Sequence, residues 1–189
     1  MNALFSSFST LGVLALTMTA SLHAAPAPDS FVQDARMQMG QLGTSLQQTL
    51  QQTMRSEGPL AAIDVCHQVA PELAEQLSEK GWQVGRTALK VRNPDNRADE
   101  WEQQVLLQFA EALAGNPDTS QLEASLETDH EYRYMRAIPT GMACLACHGD
   151  SIAEPIQTRL QALYPDDEAV GFQLGDLRGA FTIRQQKGL

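Results

Sequence analysis

The feature that most constrains this chain is a pair of cysteines with a histidine directly behind them, Cys144-Leu145-Ala146-Cys147-His148. This spacing is the attachment signature of a c-type haem, in which both thiols bond to the porphyrin and the histidine ligates the iron. A CxxC pair without the histidine would also suit a redox disulfide or half of a zinc site. The motif therefore predicts one covalently attached haem c, bound through Cys144 and Cys147 and ligated by His148.

The alternative interpretation is a small disulfide between Cys144 and Cys147, with His148 as a surface residue. The usual redox CxxC opens a helix in a βαβ unit, and no such pattern surrounds residues 144–148. A thiol oxidoreductase is therefore kept as a third class of function, because it would need both thiols free.

Composition limits the class of fold and partner. The chain has 189 residues, of which 43% are hydrophobic, so one domain with its own core is expected. The formal net charge of -10 argues against nucleic acid and against an anionic membrane surface as partners. We expect an unidentified redox or signalling protein as the partner. No catalytic constellation accompanies the motif, so an enzyme is not expected.

Residues 1–24 have the pattern of a secretory signal peptide. An apolar run begins at Leu11, and small residues follow at Ala24 and Ala25. The run of about ten residues is too short to span a bilayer. Residues 1–10 contain no Lys or Arg, which leaves an uncleaved anchor as the alternative. Cleavage after Ala24 would place residues 25–189 in the periplasm as a single domain without an integral membrane segment.

Periodicity locates the helices and strands. Hydrophobic residues recur every three or four positions from Phe31 to Met54, and they predict a long helix that begins near Asp29 and ends at Gly58. The remaining predicted elements are a helix over 59–80 that Pro71 divides or kinks, a strand over 82–92, a helix over 99–113 capped by Asp99, strands over 122–126 and 132–138, a loop with the haem motif, a helix over 154–163 and a strand over 180–184.

The function depends on what lies on the other side of the iron, because an open site binds small molecules and a filled one mainly transfers electrons. The candidate ligands are Cys66, His67, His130, Met135 and Met142. Ligand chemistry favours His or Met, the usual partners in electron-carrying cytochromes. Helical spacing favours Cys66, which lies near the centre of the apolar face of the second helix, whereas His67 lies at its edge.

Three basic residues, Arg86, Lys90 and Arg92, share one parity of the strand predicted over 82–92, so they are expected to project from the same face. One interpretation is a solvated basic face. The other is that they pair with the two carboxylates of the haem, which need partners if they approach the protein interior.

Several sequence blocks together resemble one known family. They are residues 62–66, 86–94, 101–102, the haem motif, 164–165 and 175–180. In order and spacing they resemble the bacterial Tll-type haem domain family, over residues 30–186. The resemblance implies an α+β fold with a PAS-like antiparallel sheet flanked by helices. It also implies one c-type haem, ligated by His148 and by Cys66.

A thiolate ligand stabilises ferric iron and lowers its reduction potential. The expected function is therefore that of a periplasmic monohaem c-type cytochrome-like protein in low-potential electron transfer or redox signalling. The alternative is a haem-based redox or gas sensor, since loss of the Cys66 thiolate on reduction would open a coordination site. No output region follows the domain in these residues, so such a sensor would work through a separate partner protein.

Overall fold

A computed structural model of the chain describes residues 25–115 and 122–188. The signal peptide expected at residues 1–24 lies outside these residues. Within the described ranges, no helix combines the length and the apolar character that crossing a membrane requires.

The first element is a long helix, α1 (Asp29–Ser56), as the periodicity predicts. Phe31 and Leu42 on its apolar face are buried against the sheet. The helix ends before Gly58, whose φ of 89° lies in the left-handed region that favours glycine. Pro59 then begins the next helix, because its fixed φ suits a first helical position.

The helix predicted over 59–80 is continuous from Pro59 to Leu77 and contains one widened turn. It consists of α2 (Pro59–Asp64), a π-helical segment (Val65–Val69) and α3 (Ala70–Leu77). Pro71 accounts for the wide turn, because proline donates no backbone N–H and its ring needs space beside the preceding turn. Pro71 therefore widens the helix instead of ending it, and Cys66 lies within the widened turn.

The sheet has four antiparallel strands. They are β1 (Trp82–Thr87), β2 (Glu123–Glu127), β3 (Glu131–Pro139) and β4 (Leu177–Gln186), and their order across the sheet is β1-β4-β3-β2. The last strand along the chain lies between β1 and β3 and pairs with both. β1 therefore forms one edge of the described sheet, next to the helical segment that contains Cys66.

Helices cover both faces of this sheet. α1 and α3 pack on one face, around Tyr134 and Ile183. α4 (Glu100–Gly115) packs on the other face, around Met135 and Ala180. Adjacent strand residues point to opposite faces, which places Tyr134 and Met135 in different core clusters. The α+β class, the antiparallel sheet between helices and the long N-terminal helix are confirmed, whereas the PAS-like label stays a prediction.

The strand predicted over 82–92 is shorter than expected, since β1 ends at Thr87. The residues after it are irregular, and Pro94–Asn96 form a 3-10 turn. Pairing with β4 stops at Thr87, so the alternation that continues in the sequence no longer determines side-chain direction. The prediction of one shared strand face was therefore wrong for Arg86, Lys90 and Arg92.

α4 begins directly after Asp99, the residue predicted to cap it. Asp99 Oδ1 accepts the Glu102 N–H at 3.0 Å, and Glu102 Oε2 accepts the Asp99 N–H at 3.1 Å, which is a capping box. The buried Glu102 carboxylate also accepts hydrogen bonds from the hydroxyls of Thr87 and Thr182 and from Arg184. These bonds attach α4 to both β1 and β4.

The segment with the CxxCH motif is helical, although a loop was predicted. A 3-10 turn (Met142–Cys144) leads into the single-turn helix α5 (Leu145–His148). The helix predicted over 154–163 is present as α6 (Glu154–Leu163). Ile156 and Leu160 of α6 pack against Ile63 of α2, which brings the segment after the motif next to the helix that precedes Cys66.

Candidate cofactor-binding site

One cavity is lined by the CxxCH motif and by Cys66. Cys144, Cys147 and His148 line it from α5 and the turn before it, and Cys66 lines it from the π-helical segment. The lining between them is mainly apolar and comprises Leu50, Met54, Ala62, Ile63, Ala88, Val91, Ile138, Ala143 and Leu160. A ring-shaped apolar ligand would therefore contact sulfur and imidazole donors from separate elements.

The imidazole of His148 has a defined tautomer. Its Nδ1 lies 2.7 Å from the backbone oxygen of Ala169. A carbonyl oxygen only accepts hydrogen bonds, so Nδ1 bears the proton and Nε2 keeps its lone pair, which faces Arg92 Nη1 at 3.5 Å. Burial, together with the positive charges of Arg178 and Arg92, lowers the pKa of His148 to about 2. A neutral imidazole with an unprotonated Nε2 is the form that ligates a metal.

α5 is held in place by contacts from outside the motif. Phe172 N–H donates to His148 O and Gly171 N–H donates to Gly149 O, both at 2.9 Å. A Cβ on Gly149 would lie 2.7 Å from Leu145 O, so the close turn after the histidine has no room for a side chain. A helix of four residues is not stable in isolation. The segment that contains Gly171 and Phe172 therefore positions the motif.

All three cysteines have free thiols. Burial raises the pKa of Cys147, although the Arg92 charge acts in the opposite direction. A buried thiol with a raised pKa is a poor attacking group in thiol–disulfide exchange, which proceeds through the thiolate. This environment argues against the thiol oxidoreductase class.

The five candidate ligands for the sixth position lie in different surroundings, and of these five Cys66 lines the cavity. His67 is exposed, and His130 is exposed in the turn between β2 and β3. Met135 is fully buried between the sheet and α4. Met142 is 70% exposed, so its side chain points mainly to solvent.

Of the three basic residues predicted to bind the haem carboxylates, only two lie at the cavity. Arg86 and Arg92 line the cavity, but Lys90 lies outside its lining. The Lys90 ammonium donates to the backbone oxygen of Val170 and lies 4.7 Å from the centre of the Phe172 ring. Lys90 therefore supports the segment beside the motif.

The Arg92 guanidinium is already engaged by protein groups. Its Nε donates to Asp167 Oδ2 at 2.9 Å, and its Nη2 donates to the backbone oxygen of Cys147 at 2.6 Å. Both side chains of the Arg92–Asp167 pair are almost fully buried. Arg92 therefore braces the motif and has little remaining capacity for a bound carboxylate.

Arg86 and Arg178 differ from Arg92 because neither forms an ion pair with the rest of residues 25–115 and 122–188. Arg178 makes a long hydrogen bond of 3.4 Å to Lys90 O. Burial lowers the pKa of both guanidinium groups, to about 10 for Arg178. Cations removed from water without a counter-ion are costly. These two arginines are the candidate partners for anionic groups in the cavity.

Among the lining residues that sequence reasoning did not assign to the site are Met54, Tyr164 and Arg178. Met54 was assigned to packing by its helical spacing, and Tyr164 and Arg178 were given no role. The blocks 164–165 and 175–180, quoted for the family resemblance, contain Tyr164 and Arg178. Those blocks were the available signal, because neither residue belongs to a motif of its own.

Comparison with known families matches residues 24–185 to the family described as Tll0287-like. The chain belongs to the Tll0287-like family. Among solved structures, it is similar to one titled "Crystal structure of the cyanobacterial heme-protein Tll0287", with a TM-score of 0.63 and 27% sequence identity. That match covers 85% of this chain and 98% of the other. No curated protein matches the sequence.

The Tll0287-like match spans the whole described site. It runs from before α1 to residue 185, near the end of β4, and includes Cys66, the CxxCH motif and Arg178. The resemblance inferred from separate sequence blocks is confirmed. The structural match covers almost the full length of the cyanobacterial protein, so the two proteins have the whole domain in common.

Proposed function

We propose that this chain is a periplasmic monohaem c-type cytochrome-like protein that acts in low-potential electron transfer or redox signalling. Homology to a cyanobacterial heme-protein supports haem binding. The observation that carries the proposal is the single cavity lined by both thiols of the CxxCH motif, by His148 and by Cys66. Its donors come from two elements that are distant in sequence.

The donor set suits a haem c. Cys144 and Cys147 would form the two thioether bonds, and the unprotonated Nε2 of His148 would ligate the iron. The Cys66 sulfur, on a different element, would supply the second axial ligand. A sulfur donor and an imidazole donor on one cavity match haem ligation, in which the axial ligands set the potential.

The other side chains that line the cavity suit the carboxylates and the apolar ring of a haem. Arg86 and Arg178 would pair with its two carboxylates, since charge-assisted hydrogen bonds from guanidinium to carboxylate are among the strong ones. Apolar side chains from α1 and α2, such as Leu50 and Ile63, would exclude water from the ring.

When bound, the haem would supply one-electron exchange between ferric and ferrous iron. The chain's own residues would determine how readily an electron is accepted. A Cys66 thiolate on the iron would favour the ferric state and lower the potential. The half-buried positive charge of Arg86, which lies near Cys66, would act in the opposite direction. The potential therefore depends on the balance between these two side chains.

The direct test is production of the full chain in a bacterial host that attaches c-type haem. We expect an exported protein whose intact mass is that of residues 25–189 plus one haem. Its absorption should remain with the polypeptide after extraction with acidified acetone, because thioether bonds survive that treatment. A colourless protein with the mass of its amino acids alone would refute the proposal.

The second candidate function is a haem-based redox or gas sensor that works through a separate partner protein. The position of Cys66 in a π-helical turn favours it, because such turns are common at functional sites. Carbon monoxide titration of the ferrous protein separates the two functions. Binding at low concentration favours sensing, whereas a ferrous iron that stays six-coordinate favours electron transfer.

Replacing Arg86 with glutamine should lower the reduction potential, because a positive charge close to the iron favours the ferrous state. The expected shift is on the order of 100 mV, which is the Coulomb energy of one charge about 7 Å away at an effective dielectric constant of about 20, expressed for a one-electron couple. Spectroelectrochemical titration of the haem-loaded protein measures it. Arg159→Gln is the matched control, since Arg159 is exposed and pairs with Asp64 on the surface. Equal potentials in both variants would contradict a role for Arg86 at the site.

A further inference from the structure

The N–H at His148 Nδ1 donates a hydrogen bond to the backbone oxygen of Ala169, a residue outside any helix or strand. Ala169 lies in the irregular segment between α6 and β4 and is completely buried. Irregular backbone does not hold its own carbonyls in position, so other groups must fix the Ala169 oxygen. The side chains of Asp167 and Arg92 both form hydrogen bonds with the Ala169 backbone.

Asp167 holds Ala169 from two residues away. Its Oδ1 accepts the Ala169 N–H at 2.8 Å, and its Oδ2 accepts the Arg92 Nε–H at 2.9 Å. The two oxygens of one carboxylate therefore connect the backbone of Ala169 to the guanidinium. An Asp side chain bonded to a backbone N–H two residues on is a common way to fix an irregular segment.

Arg92 completes a closed ring of hydrogen bonds around the histidine. Its Nη2 donates to Cys147 O at 2.6 Å and, at 3.4 Å, to Ala169 O. The ring thus runs from the residue before the histidine, through the Arg92–Asp167 pair, to the carbonyl that receives the Nδ1 proton. The side chains of this pair are 7% and 11% exposed.

A buried ion pair is weak evidence for stability, because desolvation of both charges offsets their attraction. The Arg92–Asp167 pair instead fixes the positions of the backbone groups that it contacts. Arg92 and Asp167 come from separate segments, and between them they contact the backbone on both sides of the imidazole hydrogen bond. Loss of either charge would release the Ala169 carbonyl from its fixed direction.

We propose that Arg92 and Asp167 are positioning residues for the His148 imidazole. They hold the Ala169 carbonyl against Nδ1, and they thereby keep the proton on that nitrogen and the lone pair on Nε2. The identity of the metal rests on the proposed function, but the ring of hydrogen bonds belongs to the polypeptide itself. A bond of this kind orients a metal-ligating histidine and increases its basicity.

The first test needs no haem. In the chain produced without haem attachment and labelled with ¹⁵N in its histidine rings, two-bond ¹H–¹⁵N spectra report which nitrogen of His148 holds the proton. We expect Nδ1 in the unmodified chain and about a tenfold weaker preference in Asp167→Asn, the equivalent of one lost hydrogen bond. Asp167→Ala should weaken the preference further, because it also loses the bond to Ala169 N–H.

Glu168→Gln is the matched control. Glu168 is the next residue in the same segment, and it pairs with the exposed Arg97 at 3.0 Å. The substitution removes the same charge without touching the ring, so the tautomer should equal that of the unmodified chain. Far-UV circular dichroism verifies folding, and the nearly isosteric Asp167→Asn remains informative if Asp167→Ala does not fold. An unchanged tautomer in folded Asp167→Asn would overturn the proposal.

The second test uses the haem-loaded proteins. Electron paramagnetic resonance of the ferric state should show shifted g values, or a second low-spin species, in Asp167→Asn and an unmodified spectrum in Glu168→Gln. Ferric spectra that are identical in all variants would also overturn the proposal. If no variant or parent chain binds haem, the proposed function fails, and the tautomer measurement still decides the role of Arg92 and Asp167.

Discussion

The combined substitution Cys144→Ala and Cys147→Ala is expected to abolish covalent haem attachment. Each thioether bond needs one of these thiols, and both line the same cavity. The intact mass should fall to that of the polypeptide, and any haem that still binds should be removed by acidified acetone. Cys147→Ala alone should leave one thioether bond and a correspondingly altered absorption spectrum.

Cys66→Ala serves as the matched control for attachment, because it removes a cysteine from the same cavity but not from the motif. Its mass should still include one haem. Covalent haem in the double variant, or its loss in Cys66→Ala, would show that Cys66 is an attachment residue and would contradict its assignment as an axial ligand.

The second large effect is expected for the iron itself in the same Cys66→Ala variant. Removing an anionic sulfur ligand should convert the ferric low-spin spectrum to that of an iron with an open or water-filled position. The reduction potential should rise by on the order of 100 mV, because axial ligands shift haem potentials over a wide range. Optical spectra, electron paramagnetic resonance and redox titration measure these changes, and carbon monoxide should then bind the ferrous form.

His67→Ala provides the comparison for this spectroscopic change. His67 is the next residue in the π-helical segment, but it is exposed and packs edge-on against the ring of Tyr164. Its spectra and potential should equal those of the parent protein. Unchanged ferric spectra in Cys66→Ala would exclude Cys66 as a ligand, and Met54, which also lines the cavity, would be the next residue to replace.

The predicted potential also has consequences for partner choice. A cysteine-ligated haem would exchange electrons with low-potential donors and acceptors, while the net charge of -10 would favour a partner with a basic surface. Association with such a partner should weaken as salt concentration increases, because the attraction is between exposed charges. A low potential and a basic surface would together narrow the class of partner proteins to examine.

Elements with strong local signals were predictable from the sequence. α1, α4 and α6 follow from hydrophobic periodicity and from start or stop residues, and the Asp99 cap is present as predicted. β1 was predicted too long because alternation in the sequence says nothing about where a partner strand ends. The wide turn around Cys66 was not foreseen, since Pro71 signals a break without specifying its form.

The candidate site also contains residues that the sequence could predict and residues that it could not. Cys144, Cys147 and His148 are adjacent in sequence, so their spacing alone indicates their chemistry. The carbonyl that orients the imidazole lies 21 residues from His148, and the arginine that helps to fix it lies 56 residues away. No local pattern marks such partners, because they meet only when separate segments pack together.

The sequence by itself therefore indicated the haem chemistry, the long helices and the family, because each depends on residues close together or on blocks in a set order. Only the tertiary structure decided which basic residues are available to a ligand in the cavity. Among the residues that the structure describes, Arg86 and Arg178 form no ion pair, Arg92 is already paired with Asp167, and Lys90 lies outside the lining. The physical reason is that charge pairing and burial are properties of the packed chain, set by neighbours that the order of residues does not reveal.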